Sequence, residues 1–218
     1  MDKVRKKLVR LERYLQRHAQ TLFTKQHRDS KQKKHFSLAG SFKVGTGSTQ
    51  VGNQQHTNKG RPGFVPHNFK NTTVYVKPVP EQGGPTHEQK KAYRKAMRIL
   101  RLIEPEYAAG ETLVQFAHMN SPNHYVDRHT DDHDISPQYA VSLGSYRGAM
   151  LRCFDTSGGA HDVDNRFKIV RFDGRLPHEV VKAPTFEGDR FTVIWYKNYD
   201  ARKARPDPIA ETPCAVWS

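Results

Sequence analysis

Cysteine is nearly absent from this sequence: Cys153 and Cys214 are the only two among 218 residues. Two thiols cannot build the disulfide framework of a small secreted domain. No apolar run approaches the roughly 18 residues that a membrane helix needs, and no early stretch resembles a secretory signal. A soluble intracellular protein, nuclear or cytoplasmic and without a membrane partner, is expected. Acidic residues are the minority, 22 Asp and Glu against 36 Lys and Arg, giving a formal charge of +14 and a pI near 9.8. Such an excess invites a polyanionic partner. Apolar residues make up 35% of the chain, enough for one core with length left for extensions, and a second full domain is not expected. A monomer is expected. The run Gly45-Thr46-Gly47-Ser48-Thr49 is followed by no Gly-Lys-Ser/Thr, which excludes a phosphate-binding nucleotide loop.

What is present falls into four stretches. Residues 1–35 hold 12 Lys or Arg against 3 Asp or Glu, so this stretch carries +9 of the +14. Within it Val4, Leu8, Leu11 and Leu15 recur at helical spacing, with Tyr14 and Leu22 near the same stripe and basic residues around it. A basic amphipathic helical arm over 1–36 follows. Three roles are open to it: packing its leucines on the main domain, gripping phosphates, or lying on a membrane surface. Residues 37–73 turn to Gly, Ser, Thr, Asn and Gln and read as a long polar loop. Val74–Val76 reads as a short strand. Thr86, with Gln89 three positions later, is a capping-box pattern opening a supporting helix over 86–104, ended by Pro105. Beyond Gly110 come short β-rich runs, 112–118, 139–143, 150–154, 167–172, 178–181 and 190–196, separated by Gly, Pro, Asp and Asn. They predict a sandwich or barrel over 74–198, with 199–218 left as a C-terminal tail. The fold class is α+β, mostly β with N-terminal helices.

Two His-x-Asp triplets occur, His27-Arg28-Asp29 and His129-Thr130-Asp131. The first sits in the basic arm with no strand nearby. The second lies between strands, where a histidine and a carboxylate two positions apart point to one side and suit adjacent positions on one metal. His178, on a later predicted strand, supplies a third ligand, and Arg190 and Thr192 follow downstream. Two imidazoles and one carboxylate on one face leave open coordination positions.

In this order the residues resemble the 2-oxoglutarate oxygenase superfamily over about residues 110–198. The segments Arg171–Val180 and Gly188–Tyr196 look most like the TET/JBP group of nucleic-acid base oxygenases. The resemblance implies a double-stranded β-helix of jelly-roll or cupin type, Fe(II) held by His129, Asp131 and His178, and 2-oxoglutarate anchored by Arg190 and Thr192. It also implies O2 as oxidant, with ascorbate as an external reductant. The reaction implied is hydroxylation of a C–H bond, in this group the methyl of 5-methylcytosine or thymine, with nucleic acid as partner and DNA expected over RNA. Substrate contacts are then expected from Asp134, His124, Tyr196 and Asn198. The other polar residues near the triad, among them Asp132, His133, His161, Asp162 and Asp164, read as solvated loop residues, and Glu179 as facing away from the metal. Two other readings stand beside this one. A prolyl or lysyl protein hydroxylase shares the triad but usually anchors its cosubstrate with lysine at the position of Arg190. A binding protein on a degenerate barrel need not keep all four residues.

Overall fold

The computed structural model describes residues 2–23, 36–45, 85–131, 134–181, 184–197, 207–210 and 212–217. Helix α1 (Lys3–Arg17) and the short α2 (Ala19–Leu22) are followed by strands β1 (Phe36–Ser37) and β2 (Gly40–Gly45). Helices α3 (His87–Ile103) and α4 (Pro105–Ala109) come next. Then come β3 (Leu113–Met119), β4 (Tyr125–His129), β5 (Gln138–Leu143), β6 (Tyr146–Arg147), β7 (Leu151–Phe154) and β8 (Ala160–Val163). The chain continues through β9 (Ile169–Phe172), β10 (His178–Val180), β11 (Glu187–Gly188), β12 (Arg190–Tyr196) and β13 (Cys214–Trp217). A major sheet of order β13-β9-β5-β12-β3-β2 faces a minor sheet of order β1-β4-β10-β7-β8, and all their ladders are antiparallel. This is the double-stranded β-helix expected from the sequence.

Period-two alternation divides each major-sheet strand between two environments. Outward residues Phe42, Val44, Val114, Phe116, Tyr139, Val141, Leu143, Phe191, Val193 and Trp195 share one apolar cluster with the helices. Inward residues Ala140, Phe172 and Ile194 meet Leu151 and Cys153 of the minor sheet. The helical layer seals the outer face because α1 and α3 present matching stripes, Val4, Leu8, Leu11 and Leu15 from one and Ala92, Ala96, Met97, Ile99 and Leu100 from the other. The capping box at Thr86 is present in both halves: the Thr86 hydroxyl accepts from the Gln89 amide, and the Gln89 side chain accepts from the Thr86 amide. No described helix is long and apolar enough to cross a membrane.

Of the roles open to the N-terminal helix, packing on the main domain is seen: Leu8, Leu11 and Leu15 are fully enclosed in the same core as Trp195. Two expectations change. Residues 40–45, read as loop, form β2 and pair with residues 113–118 of β3. The stretch read as a tail returns as β13 against β9. The strand expected at Val74–Val76 and the loop from residue 46 to 73 lie outside the described residues. If α1 is part of the core, Leu11→Ala should cost about 2–5 kcal/mol of unfolding free energy, read from urea denaturation. A change within about 0.5 kcal/mol, as for a surface position, would mean that the helix is dispensable.

Candidate metal centre

The triad is assembled by strand register. In the ladder between β4 and β10 the Cα of His178 lies opposite that of His129, bringing the two rings to a centroid separation of 4.2 Å. Asp131 follows β4 by two residues, and its amide donates to the Gly174 carbonyl at 2.7 Å, which ties it to the turn leading into β10. One His129 Nε2 to Asp131 Oδ1 distance is 4.0 Å, and His178 Nε2 to Asp131 Oδ2 is 3.5 Å. One ligand atom from each of the three residues lies within 4.8 Å of the others. Ligand atoms that each sit roughly 2.1 Å from one ion are at most roughly 4.2 Å apart, so small side-chain adjustments close the set on a single cation.

The imidazoles are prepared for that role. His129 Nδ1 donates to the Asp127 carbonyl at 2.7 Å and His178 Nδ1 to the Leu176 carbonyl at 3.0 Å. Both rings therefore carry their proton on Nδ1 and a lone pair on Nε2, the usual outer support of a ligating histidine. Burial raises the carboxyl of Asp131, but His178, His129 and the Gln138 amide outweigh it and hold the group below the usual carboxylate range. Burial likewise lowers His178, and Asp131 reverses this. Each shift describes a carboxylate and an imidazole that gain from sharing a positive charge, which a divalent cation supplies more strongly than a proton. Gln138, 1% exposed, fixes the carboxylate through Nε2 to Asp131 Oδ2 at 2.9 Å. A Cβ at Gly174 would overlap that amide.

Arg190 opens β12 and is 1% exposed. Its Nη1 donates to the Met119 sulfur at 3.4 Å, the guanidinium lies 5.7 Å from the Tyr146 ring centroid, and its Nε has no hydrogen-bond partner among the described residues. Among the described residues no carboxylate lies within ion-pair distance of it. A guanidinium cannot shed its proton in a protein, and an unpaired buried charge is costly. Thr192, two residues on and facing the same interior, stands in register with Ser142 of β5, and both hydroxyls are buried with no hydrogen-bond partner among the described residues. These groups form a donor set lacking its acceptor. Asp189, just before Arg190, accepts from His118 Nε2 at 2.7 Å, and the His118 ring stacks on Phe191 at 4.5 Å, which fixes the entry to β12.

Tyr196, at the far end of β12 and level with Gln138, is buried, and its hydroxyl has no hydrogen-bond partner among the described residues. Asp134 is buried as well, with Oδ2 unpartnered. Burial first, then the charge of Asp131, raises its carboxyl well above the ordinary range. Its amide donates to the Asp131 carbonyl at 3.0 Å, and a Cβ at Gly174 would lie 3.1 Å from its Oδ2. His124 does not join the triad: it lies at the opposite end of β4 from His129, roughly 15 Å along the strand, where its Nδ1 accepts from the Asn120 amide. The role expected of His124, a substrate contact, does not require it at the metal. Asn198, Asp132 and His133 lie outside the described residues. Glu179 faces away, 3.5 Å from Arg152.

Three contributors were missed in the sequence: Gln138, Ser142 and Lys43. Lys43 alternates with the outward Phe42 and Val44, so its ammonium projects into the barrel near Asp131 and Asp134, 5.5 Å from the Tyr196 ring centroid.

No protein-family model matches the sequence, and no curated protein sequence matches it significantly. Among solved structures the chain is similar to a Pseudomonas putida prolyl-4-hydroxylase, at 17% identity and a TM-score of 0.46, over 90% of this chain and 86% of that one. It is also similar to an oxidoreductase of the 2OG-Fe(II) oxygenase family from Burkholderia pseudomallei, at 15% identity and a TM-score of 0.38, over 50% and 62%. A Bacillus subtilis oxalate decarboxylase variant aligns at 14% identity and a TM-score of 0.32, over 42% of this chain and 22% of that one. These likenesses are distant, and the case for a function rests on the residues of the site.

If Gln138 orients the Asp131 carboxylate, Gln138→Leu should lower affinity for Mn(II) roughly 10–100-fold in a calorimetric titration, with a cooperative melt retained. Unchanged affinity would remove Gln138 from the site. The thiols offer a check on the interior: burial pushes Cys153 up to about 12, whereas Cys214 is exposed. At pH 8 a thiol reagent should titrate Cys214 in the native chain and both thiols only after unfolding. Rapid reaction of both would contradict the closed barrel.

Proposed function

We propose that this chain is an Fe(II)- and 2-oxoglutarate-dependent oxygenase that hydroxylates an unactivated C–H bond. The observation that carries the reading is the coexistence, inside one barrel, of a His-Asp-His cluster and a buried Arg190 that has no carboxylate partner among the described residues. His129, Asp131 and His178 would hold the iron. Bound iron supplies the activation of O2 that oxidises the C–H bond as 2-oxoglutarate is decarboxylated to succinate. The protein's own residues do the rest. Arg190, with the Thr192 and Ser142 hydroxyls, receives the distal carboxylate of the cosubstrate and relieves an otherwise unpaired buried cation. Gln138 and the carbonyls of Asp127 and Leu176 hold the ligands in orientation. The enclosing apolar residues Ile194, Phe172 and Leu151 keep water from the interior.

For the substrate we propose the methyl group of 5-methylcytosine or thymine in nucleic acid, a reading supported by the chain's charge of +14. A duplex would have to release the base into the pocket; Tyr196 and Asp134 face the interior but are enclosed, so a substrate contact through either requires the mouth to open. A second reading, prolyl or lysyl hydroxylation of protein, uses the same iron centre. Lys43 favours it, because a lysine projecting into the barrel weakens the objection that arginine occupies position 190.

Succinate release with added Fe(II), compared across 5-methylcytosine DNA, thymine DNA, RNA and a proline-rich peptide, tests both levels. Stimulation by one polynucleotide, with one oxygen gained on a base by mass analysis, supports the first reading, and stimulation by peptide alone replaces it with the second. His129→Ala and Asp131→Ala should abolish release with the β circular dichroism signal intact. Wild-type rates in either folded variant would sink the oxygenase reading. Arg190→Gln should raise the KM for 2-oxoglutarate roughly tenfold or more, from the loss of about 1.5–3 kcal/mol of charge-assisted hydrogen bonding. An unchanged KM would place the cosubstrate elsewhere.

A further inference from the structure

Two helices carry nearly all of the net charge. Helix α1 has seven Lys or Arg and one Glu, and α3 has six and one, leaving eleven of the fourteen net positive charges on neighbouring helices. The helices run antiparallel: the Tyr14 hydroxyl near the end of α1 donates to the Glu88 carbonyl at the start of α3, at 3.2 Å. Lys91 and Lys95 both lie over the Tyr14 ring, at 5.4 and 5.3 Å from its centroid. Lys95 is lowered first by burial and then by Lys91, Arg98, Arg10 and Lys7, so cations of both helices crowd one surface. Among the described residues no ion pair joins a Lys or Arg of α1 or α3 to a carboxylate. Glu12 sits near Arg5 and Arg13, but among the described residues no carboxylate offsets the cluster of Lys7, Arg10, Lys91, Lys95 and Arg98 by an ion pair.

We propose that this α1–α3 face is a docking surface for the phosphodiester backbone of nucleic acid, on the opposite side of the major sheet from the barrel interior. Like charges held together at a cost to the fold are compensated by phosphates, whose condensed counterions are released on binding. A lipid surface fits less well. Insertion of an amphipathic helix needs an apolar face, and that of α1 is already enclosed against the sheet. The positions that face solvent, among them Arg10, Arg13, Lys91, Arg94 and Arg98, are charged, and on these helices Leu102 alone is a large exposed apolar side chain among the described residues. The surface would act as a sequence-independent grip, whether the oxidised C–H bond belongs to nucleic acid or to a protein bound beside it. It is thus separable from the chemistry at the triad.

The test is fluorescence anisotropy of the full chain with labelled duplex DNA and single-stranded RNA of mixed sequence across a salt series, with phosphatidylserine vesicles as a separate arm. Affinity for a polynucleotide should fall steeply with salt. Arg10→Glu/Arg98→Glu should weaken it roughly tenfold or more and flatten the salt slope, and Arg10→Gln/Arg98→Gln should follow in the same direction. Arg128→Glu/Arg152→Glu, which changes the net charge equally on minor-sheet strands β4 and β7, should stay within roughly threefold of wild type. Asp131→Ala should bind nucleic acid as wild type does, which keeps this outcome distinct from failure of the oxygenase reading. Equal loss in both charge-reversed variants, unchanged affinity in a folded face variant, or binding to vesicles without binding to nucleic acid would each overturn the proposal.

Discussion

The opposition of His178 to His129 across β4 and β10 is the constraint from which the site follows. A slip of one residue in that ladder would turn one imidazole to the other face of the sheet. The third ligand depends on the same pair of strands, because the Asp131 amide is held by Gly174, in the turn that delivers His178. That turn is itself clamped. The Arg175 guanidinium pairs with the buried Asp173 at 2.6 Å and donates to the carbonyls of Asp207 and Pro208, while the Ala210 amide donates to Asp173. Ligand spacing is thus fixed by backbone hydrogen bonds and one enclosed ion pair, and not by the ligands themselves.

The barrel tolerates costly groups because its other face is so well satisfied. Arg190 and Thr192 are buried without adequate partners, yet the residues between and beyond them, Phe191, Val193 and Trp195, are nearly fully enclosed against the helices. Burying such side chains contributes roughly 1.5–3 kcal/mol each, comparable to the penalty for an unsatisfied buried polar group. One strand therefore carries a stabilising face and a functional one. The helical layer that anchors it also gathers the basic surface on its outside, so the same two helices link fold stability to the net charge of the chain.

Much of this was legible in the sequence. Spacing identified His129, Asp131, His178 and Arg190 because their types match one chemistry, and α3 declared itself by Thr86, Gln89 and an apolar stripe. Other parts were hidden for physical reasons. Strand β2 carries its alternation in only Ser41-Phe42-Lys43-Val44, beside a Gly- and Ser-rich stretch, and its pairing with β3 is non-local, so Lys43 could not be placed inside the barrel. Strand β4, Tyr125-Val126-Asp127-Arg128-His129, is only partly buried and shows no apolar alternation. Without that strand, the distance separating His124 from the metal ligands could not be known. The stripe on α1 was clear, but a stripe does not say which surface covers it.

A single claim underlies the account: that His129, Asp131 and His178 form one divalent-metal site whose filling is coupled to a dicarboxylate held by Arg190. Its most direct test is a Mn(II) titration followed by electron paramagnetic resonance, with and without 2-oxoglutarate. The expected result is one site per chain that tightens when 2-oxoglutarate is added, is lost in Asp131→Ala, and keeps its metal but loses the tightening in Arg190→Gln. Metal binding that survives Asp131→Ala, or that is indifferent to 2-oxoglutarate in the wild-type chain, would contradict it.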